Sequence, residues 1–231
     1  MAIDSRAGRR MKAFSGDEPQ NPYDTRYAGA DYYWGLEPSG LCRHIVDMAP
    51  PSGSVRLLDI GCGEGRDSVT FARGGYVVSA FDRSSQGIEK AASLAHEAGV
   101  DLDLFTADLL SWRPTTEYDV IFSCGVLQYL PLELREEVLS SYRKATVPGG
   151  LNAHTVLLEK PFIAPAPDAE KSAHLWTSGE LLHYYRDWHI DFFEEVVIDC
   201  NSSGVPHQHA LDRMVARKPS SEQESRPGSP R

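Results

Sequence analysis

Cysteine is scarce in this sequence and widely scattered. Cys42, Cys62, Cys124 and Cys200 include no CxxC pair, which leaves a disulfide framework or a structural zinc site without support and reads as a chain of the reducing cytoplasm. Long hydrophobic runs are missing as well: nothing approaches the ~18 apolar residues of a membrane span, so no membrane partner is expected. The opening "MAIDSRAGRRMKAF" carries basic residues but no apolar stretch and reads as no secretion signal, while Asp4, Asp17 and Glu18 argue against a transit peptide. Basic charge is also in deficit. With 23 Lys and Arg against 33 Asp and Glu, a formal charge of -10, and no cationic stripe along any predicted helix, the chain repels phosphate backbones. Nucleic acid is therefore excluded as the main partner and a small molecule is expected. No internal repeat, no Ser/His/Asp arrangement and no metal constellation is evident, and no metal is expected.

What is present is ordinary globular composition, 41% apolar and 24% charged over 231 residues, enough for one domain. Polar, low-complexity ends predict a disordered tail over 1–22 and another over 219–231, flanking a domain at 23–218 with an N-terminal cap (23–50) and a core (55–158). Within it, β-rich runs alternate with helical-period segments: "VRLLDI" (55–60), "YVVSAF" (76–81), "LDLFTA" (102–107), "YDVIFS" (118–123) and "LNAHTVLL" (151–158). "SSQGIEKAASLAHEAG" has serine caps, an apolar face of Ile88, Ala91, Ala92 and Ala95, and a stop at Gly99. "PLELREEVLSSYRKAT" starts at Pro131 and is expected to stop at Pro148-Gly149-Gly150. Proline-rich 159–176 reads as a long surface loop. Thr177 and Glu180 form a capping box ahead of "SGELLHYYRDW", and "IDFFEEVVID" and "ALDRMVAR" read as two strands joined by the short turn "CNSSG". The expected fold is α/β: a Rossmann-like, seven-stranded, mostly parallel sheet with helices on both faces and a C-terminal antiparallel hairpin.

The informative stretch is "LLDIGCGEG", in which Gly61, Gly63 and Gly65 follow a buried strand at alternate positions. Such a turn brings backbone N–H groups and a helix N-terminus close to a ligand because no Cβ intervenes. The spacing G-x-G-x-G departs from the dinucleotide pattern G-x-G-x-x-G. Asp59, two residues before the first glycine, would oppose a pyrophosphate and tolerate a cation, which favours S-adenosylmethionine. Asp82, ending the second strand, is placed to accept two ribose hydroxyls, and Asp108 in "TADLL" the adenine amino group, with Leu109 beside the ring. Taken singly, Asp82 reads equally as a helix N-terminal charge and Asp108 as a turn cap. In order, at the carboxyl ends of three successive strands, the acids point into one crevice.

The stretches "LLDIGCGEG", "AFDRS", "TADLL", "YDVIFSCGVLQYL" and "VPGGLNAHTV" resemble the successive motifs of class I S-adenosylmethionine-dependent methyltransferases. With "WGLEPS", "SGELLHYYRDW" and "MVARK", the chain most resembles the tellurite-resistance (TehB-like) subfamily. The resemblance implies cofactor methionine near Gly61, Cys62 and Gly63, ribose at Asp82 and Arg83, adenine near Asp108 and Leu109, and Cys124 and Gly125 facing the methionine amino group. The basic residues that tellurite-type enzymes place near an oxyanion have no clear counterpart in "DCNSSGVPHQHALDR", which argues against tellurite as acceptor. Methyl transfer from a sulfonium is an in-line displacement that needs alignment and water exclusion, and a base only for a protonated acceptor.

Candidate acceptor contacts are Tyr27 and Trp34 in an aromatic lid, Gln128 and Tyr129 after the fourth strand, and His207. His207, His209 and Tyr27 are the candidate catalytic groups; the alternating histidines suit a base, an anion partner or metal ligands, or simply a polar strand entrance. Cys62 and Cys124 invite a nucleophile reading, against which a buried cysteine is usually a small apolar filler. Two rival readings stay open: an NAD(P)-dependent oxidoreductase and a non-catalytic S-adenosylmethionine-binding protein.

Overall fold

The computed structural model describes residues 21–220 apart from Asp168, Lys171, Ser202 and Ser203; the expected terminal tails lie almost wholly outside the described residues. The elements run α1 (Pro22–Tyr27), α2 (Gly40–Met48), β1 (Arg56–Ile60), α3 (Arg66–Arg73), β2 (Val77–Asp82), α4 (Ser85–Ala98), β3 (Asp103–Thr106), β4 (Tyr118–Cys124), α5 (Leu132–Lys144), β5 (Thr146–Leu158), α6 (Glu180–Tyr184), β6 (His189–Cys200) and β7 (His207–Arg217). A 3-10 turn at Leu127–Tyr129 precedes α5.

All seven strands form one sheet in the order β3-β2-β1-β4-β5-β7-β6. β1 to β5 pair in parallel, while β7 runs antiparallel to both β5 and β6. The order reverses between β1 and β4, and an open α/β sheet holds its ligand in the crevice at the carboxyl ends of the strands at that reversal. β1 reads as an apolar run because both its faces are covered. Leu57 joins one layer with Leu41, Ile45 and Phe71 from α2 and α3; Leu58 and Ile60 join the other with Val138, Leu139 and Leu181 from α5 and α6.

Two local expectations are corrected. α5 ends at Lys144, ahead of Pro148-Gly149-Gly150, and those residues lie inside β5, whose pairing with β4 shifts register beside them. Gly149 has a φ of +79°, and a Cβ on Gly150 would stand 2.8 Å from the Asp119 carbonyl oxygen, so the glycines serve a strand irregularity. The Thr177/Glu180 pair is made, with Glu180 Oε2 accepting from the Thr177 amide at 3.0 Å. The helix nevertheless starts after Gly179 and runs only five residues, giving way to turns at 185–188 and to β6 at His189, while Glu180 Oε1 takes the Arg135 guanidinium at 2.6 Å. The 159–176 segment is tied down at its end, where Trp176 is fully buried, donates to the Leu127 carbonyl at 3.2 Å and lies under the Arg135 guanidinium. Among the described residues no helix is long and apolar enough to cross a membrane.

Candidate active site

Gly61, Gly63 and Gly65 all adopt left-handed backbone, with φ of +68°, +56° and +87°. Space forbids side chains too: a Cβ on Gly61 would lie 2.4 Å from Val126 Cγ2, and one on Gly65 2.7 Å from Ala91 Cβ. Gly65 caps α3 through its backbone alone. The loop's amides are engaged within the protein, since the Cys62 N–H donates to the Phe81 carbonyl at 2.9 Å, the Gly65 N–H to the Cys62 carbonyl at 3.0 Å, and the Gly63 N–H to Asp82 Oδ2 at 2.9 Å.

Asp82 thus holds the loop from the neighbouring strand, and its Oδ1 accepts from the Ser84 amide at 2.8 Å. Burial pushes its carboxyl up, against the backbone donors of Ser84, Gly63 and Arg83, and Asp24 from α1 adds to the rise. Each oxygen keeps a second lone pair for a further donor. Asp108 Oδ1 accepts from the Leu110 amide at 2.9 Å and its Oδ2 faces the Arg83 Nε at 3.6 Å, while Leu109 belongs to the apolar layer with Phe81, Phe105 and Trp112.

Asp59 requires a correction. It stands behind the loop, 2% exposed, accepting from the Ser68 hydroxyl of α3 at 2.5 Å, and so supports the turn rather than fronting the crevice. Burial, then Asp67, pushes its carboxyl up to about 8. An unfolded carboxyl releases its proton near pH ~4, so between about pH 4 and about pH 8 the folded protein retains a proton that the unfolded chain has lost. Asp59 therefore lowers stability progressively as pH rises through that window. Asp59→Asn, whose amide oxygen still accepts from Ser68, is expected to raise the melting temperature over wild type more at about pH 8 than at about pH 5. Paired thermal melts check this, and an equal difference at both pH values refutes it.

The aromatic segment does fold over the loop. Asn21 caps α1 by accepting from the Tyr23 amide, with Pro22 at the first helical position, a start signal legible in "NP" that the sequence reading passed over. Tyr27 is buried with its hydroxyl 3.0 Å from where a Gly63 Cβ would lie, and Trp34 Nε1 donates to that hydroxyl at 3.0 Å. Burial, then Asp82, raises the Tyr27 phenol well above its ordinary value, which disfavours it as a base near neutrality. Two latches hold α1: Tyr23 and Tyr129 share a hydroxyl hydrogen bond of 2.7 Å, and Arg26 meets Glu170 at 2.7 Å. The Ser84 hydroxyl also donates to Asp24 at 2.5 Å, beside Asp82. Asp24 and Glu170 carry no signal in the sequence, and Ser84 only that of a helix cap, because these contacts arise only when α1 docks. Tyr129→Phe leaves the partly buried Tyr23 hydroxyl without this partner, at a cost of ~1 kcal/mol. Amide exchange in 22–36 is expected to quicken about fivefold, and unchanged rates would show that the latch is idle.

At the end of β4, Gly125 has a φ of +66° and its carbonyl accepts from Gln128 Nε2 at 2.6 Å. Gln128 is 5% exposed, and its Oε1 is buried with no hydrogen-bond partner among the described residues. Burial pushes the Cys124 thiol up to about 11 and the Cys62 thiol well above its ordinary range, so neither is poised as a nucleophile. His207 and His209 are not brought to the glycine loop: β7 is separated from β1 by β4 and β5, about 14 Å at ordinary strand spacing.

A sheet in this order, with a glycine loop after β1 latched by an acid ending β2, has the Rossmann-like fold of the class I methyltransferases. The family model described as tellurite resistance protein TehB matches residues 42–203, and the chain belongs to that family. Curated relatives include hemagglutinin 1 of Eikenella corrodens, 27% identical over 180 residues that cover 77% of this chain and 58% of that protein. Another is the probable S-adenosyl-L-methionine-dependent methyltransferase TehB of Haemophilus influenzae, 24% identical, covering 75% and 61%. The crystal structure of TehB from Haemophilus influenzae shares the fold at a TM-score of 0.67 and 23% identity, over 76% of this chain and 62% of that one. The chain thus spans about three fifths of the length of these relatives.

Proposed function

We propose that this protein transfers a methyl group from S-adenosylmethionine to a small-molecule acceptor by in-line displacement. The carrying observation is the engagement of the loop amides. In a dinucleotide site these N–H groups face a pyrophosphate; here Phe81, Cys62 and Asp82 hold them. Two cations beside the loop are paired with acids, Lys90 with Glu64 at 2.5 Å and Arg83 with Asp108, and Arg66 donates to the Trp34 carbonyl at 2.8 Å, which suits a ligand without phosphate. This favours the adenosyl sulfonium over NAD(P).

The residues fit the cofactor on two observations: left-handed glycines that pack without side chains, and a buried, unpartnered Gln128 carbonyl oxygen after β4 able to accept from an ammonium. Asp82 would bind the ribose diol, Asp108 and Leu109 the adenine, and Gly61 to Gly63 with Cys124 and Gly125 the methionine part. When bound, the cofactor supplies an electrophilic methyl on a sulfonium. The chain's own contribution is orientation and exclusion of water by α1, Tyr27 and Trp34. With the cysteines and Tyr27 held protonated, the acceptor is one that arrives as a nucleophile, such as a thiolate or soft anion. Calorimetric titration with S-adenosylmethionine and its demethylated product, followed by release of that product across thiols, selenium and tellurium oxyanions, amines and phenols, tests this. Folded protein that binds neither compound defeats the reading; binding without turnover on any acceptor supports the non-catalytic alternative.

A further inference from the structure

β7 pairs with β5 only from Ala210 onward, opposite Leu158, whereas its pairing with β6 continues to His207 opposite Cys200. The end of the hairpin therefore overhangs the sheet as a two-stranded ribbon, a unit marginally stable by itself. Strand alternation sets the overhang's chemistry. His207 and His209, two apart, share a face, and Cys200, directly across from His207, shares it with them. One ligand atom from each of the three lies within 4.8 Å of the others, and all three residues are half-buried.

The two imidazoles converge Nε2 to Nε2 at 3.0 Å, and His207 Nδ1 lies 2.8 Å from the Val205 carbonyl oxygen. A carbonyl can only accept, so His207 carries its proton on Nδ1 in that contact and directs the Nε2 lone pair toward His209. A tetrahedral zinc with Zn–N of ~2.0–2.1 Å separates two histidine nitrogens by about 3.3 Å, close to the spacing found here.

We propose that Cys200, His207 and His209 form a zinc site that clamps the end of the β6–β7 hairpin, with the fourth position left to water. The observation is the juxtaposition of one thiol and two imidazoles across the overhang. The set is of the Cys/His type that zinc prefers over magnesium or calcium. It stands apart from the methyl-transfer reading, and either can fail without the other.

The test uses the full chain with any affinity tag removed, titrated with Zn²⁺ alone and with Co²⁺ as spectroscopic probe. Wild type is expected to take up zinc, with a rise in melting temperature, and to give a cobalt spectrum containing a thiolate charge-transfer band. Cys200→Ser is expected to lose that band, and His207→Ala/His209→Ala to bind zinc more than tenfold more weakly while keeping the wild-type far-UV spectrum. If the double variant unfolds, Cys200→Ser alone decides through the band. Absence of zinc uptake by folded wild type, a cobalt spectrum without the thiolate band, or wild-type affinity in the folded double variant overturns the site.

Discussion

Gly61→Ala is expected to destabilise the protein by about 2–5 kcal/mol. A left-handed conformation costs a residue with a Cβ ~1–2 kcal/mol, and overpacking a filled site ~1–3 kcal/mol more. Both apply, because Gly61 has φ +68° and its Cβ would overlap Val126, whose backbone is fixed between β4 and the 3-10 turn. At roughly 2–4 °C per kcal/mol for a chain of this size, the melting temperature should drop by about 4–20 °C. Val126→Ala in the same background removes the two methyl overlaps but leaves the Val126 Cβ 2.7 Å from the added Cβ, so it should recover part of the steric cost and none of the conformational part. A Gly61→Ala protein that melts with wild type would show that the loop does not adopt this backbone.

Asp82→Ala is expected to weaken S-adenosylmethionine binding by tenfold to about a hundredfold, from the loss of charge-assisted hydrogen bonds of ~1.5–3 kcal/mol. Asp82 has two parts in this reading: in the structure it holds the Gly63 and Ser84 amides, and in the proposed function it binds the ribose diol. The Ala variant therefore loses ligand contacts and loosens the loop together. Asp82→Asn keeps the shape and one acceptor oxygen, and is expected to fall between Ala and wild type. Calorimetry at one pH, with melting curves to confirm folding, measures both; an unchanged dissociation constant in the Ala variant removes ribose binding from Asp82.

How much could be read in advance follows from the range of the forces involved. β1, β2 and β4 were recognisable because strands covered on both faces need continuous apolar runs, and α4 because Ser84 and Gly99 mark its ends. The segment after Thr177 predicts a longer helix than the five residues observed, because two turns and then β6 from His189 follow directly on Tyr184. α1 was read as an aromatic lid rather than a helix, because six residues carry little periodicity. In sequence Cys200 stands far from the other cysteines. Only the antiparallel register of β6 and β7 sets it across from His207.

By itself the sequence determined the order of the elements, the conformation of the glycine turn and the acids that end β2 and follow β3, because local backbone preference and apolar pattern act over a few neighbouring residues. The tertiary structure alone decided what those groups do. It turned Asp59 inward to Ser68, gave the loop amides to Asp82 and Phe81, and laid Tyr27 over Gly63. A hydrogen bond or an excluded volume depends on distance in space, and distances in space are set when strands far apart in the chain pair and helices close over them.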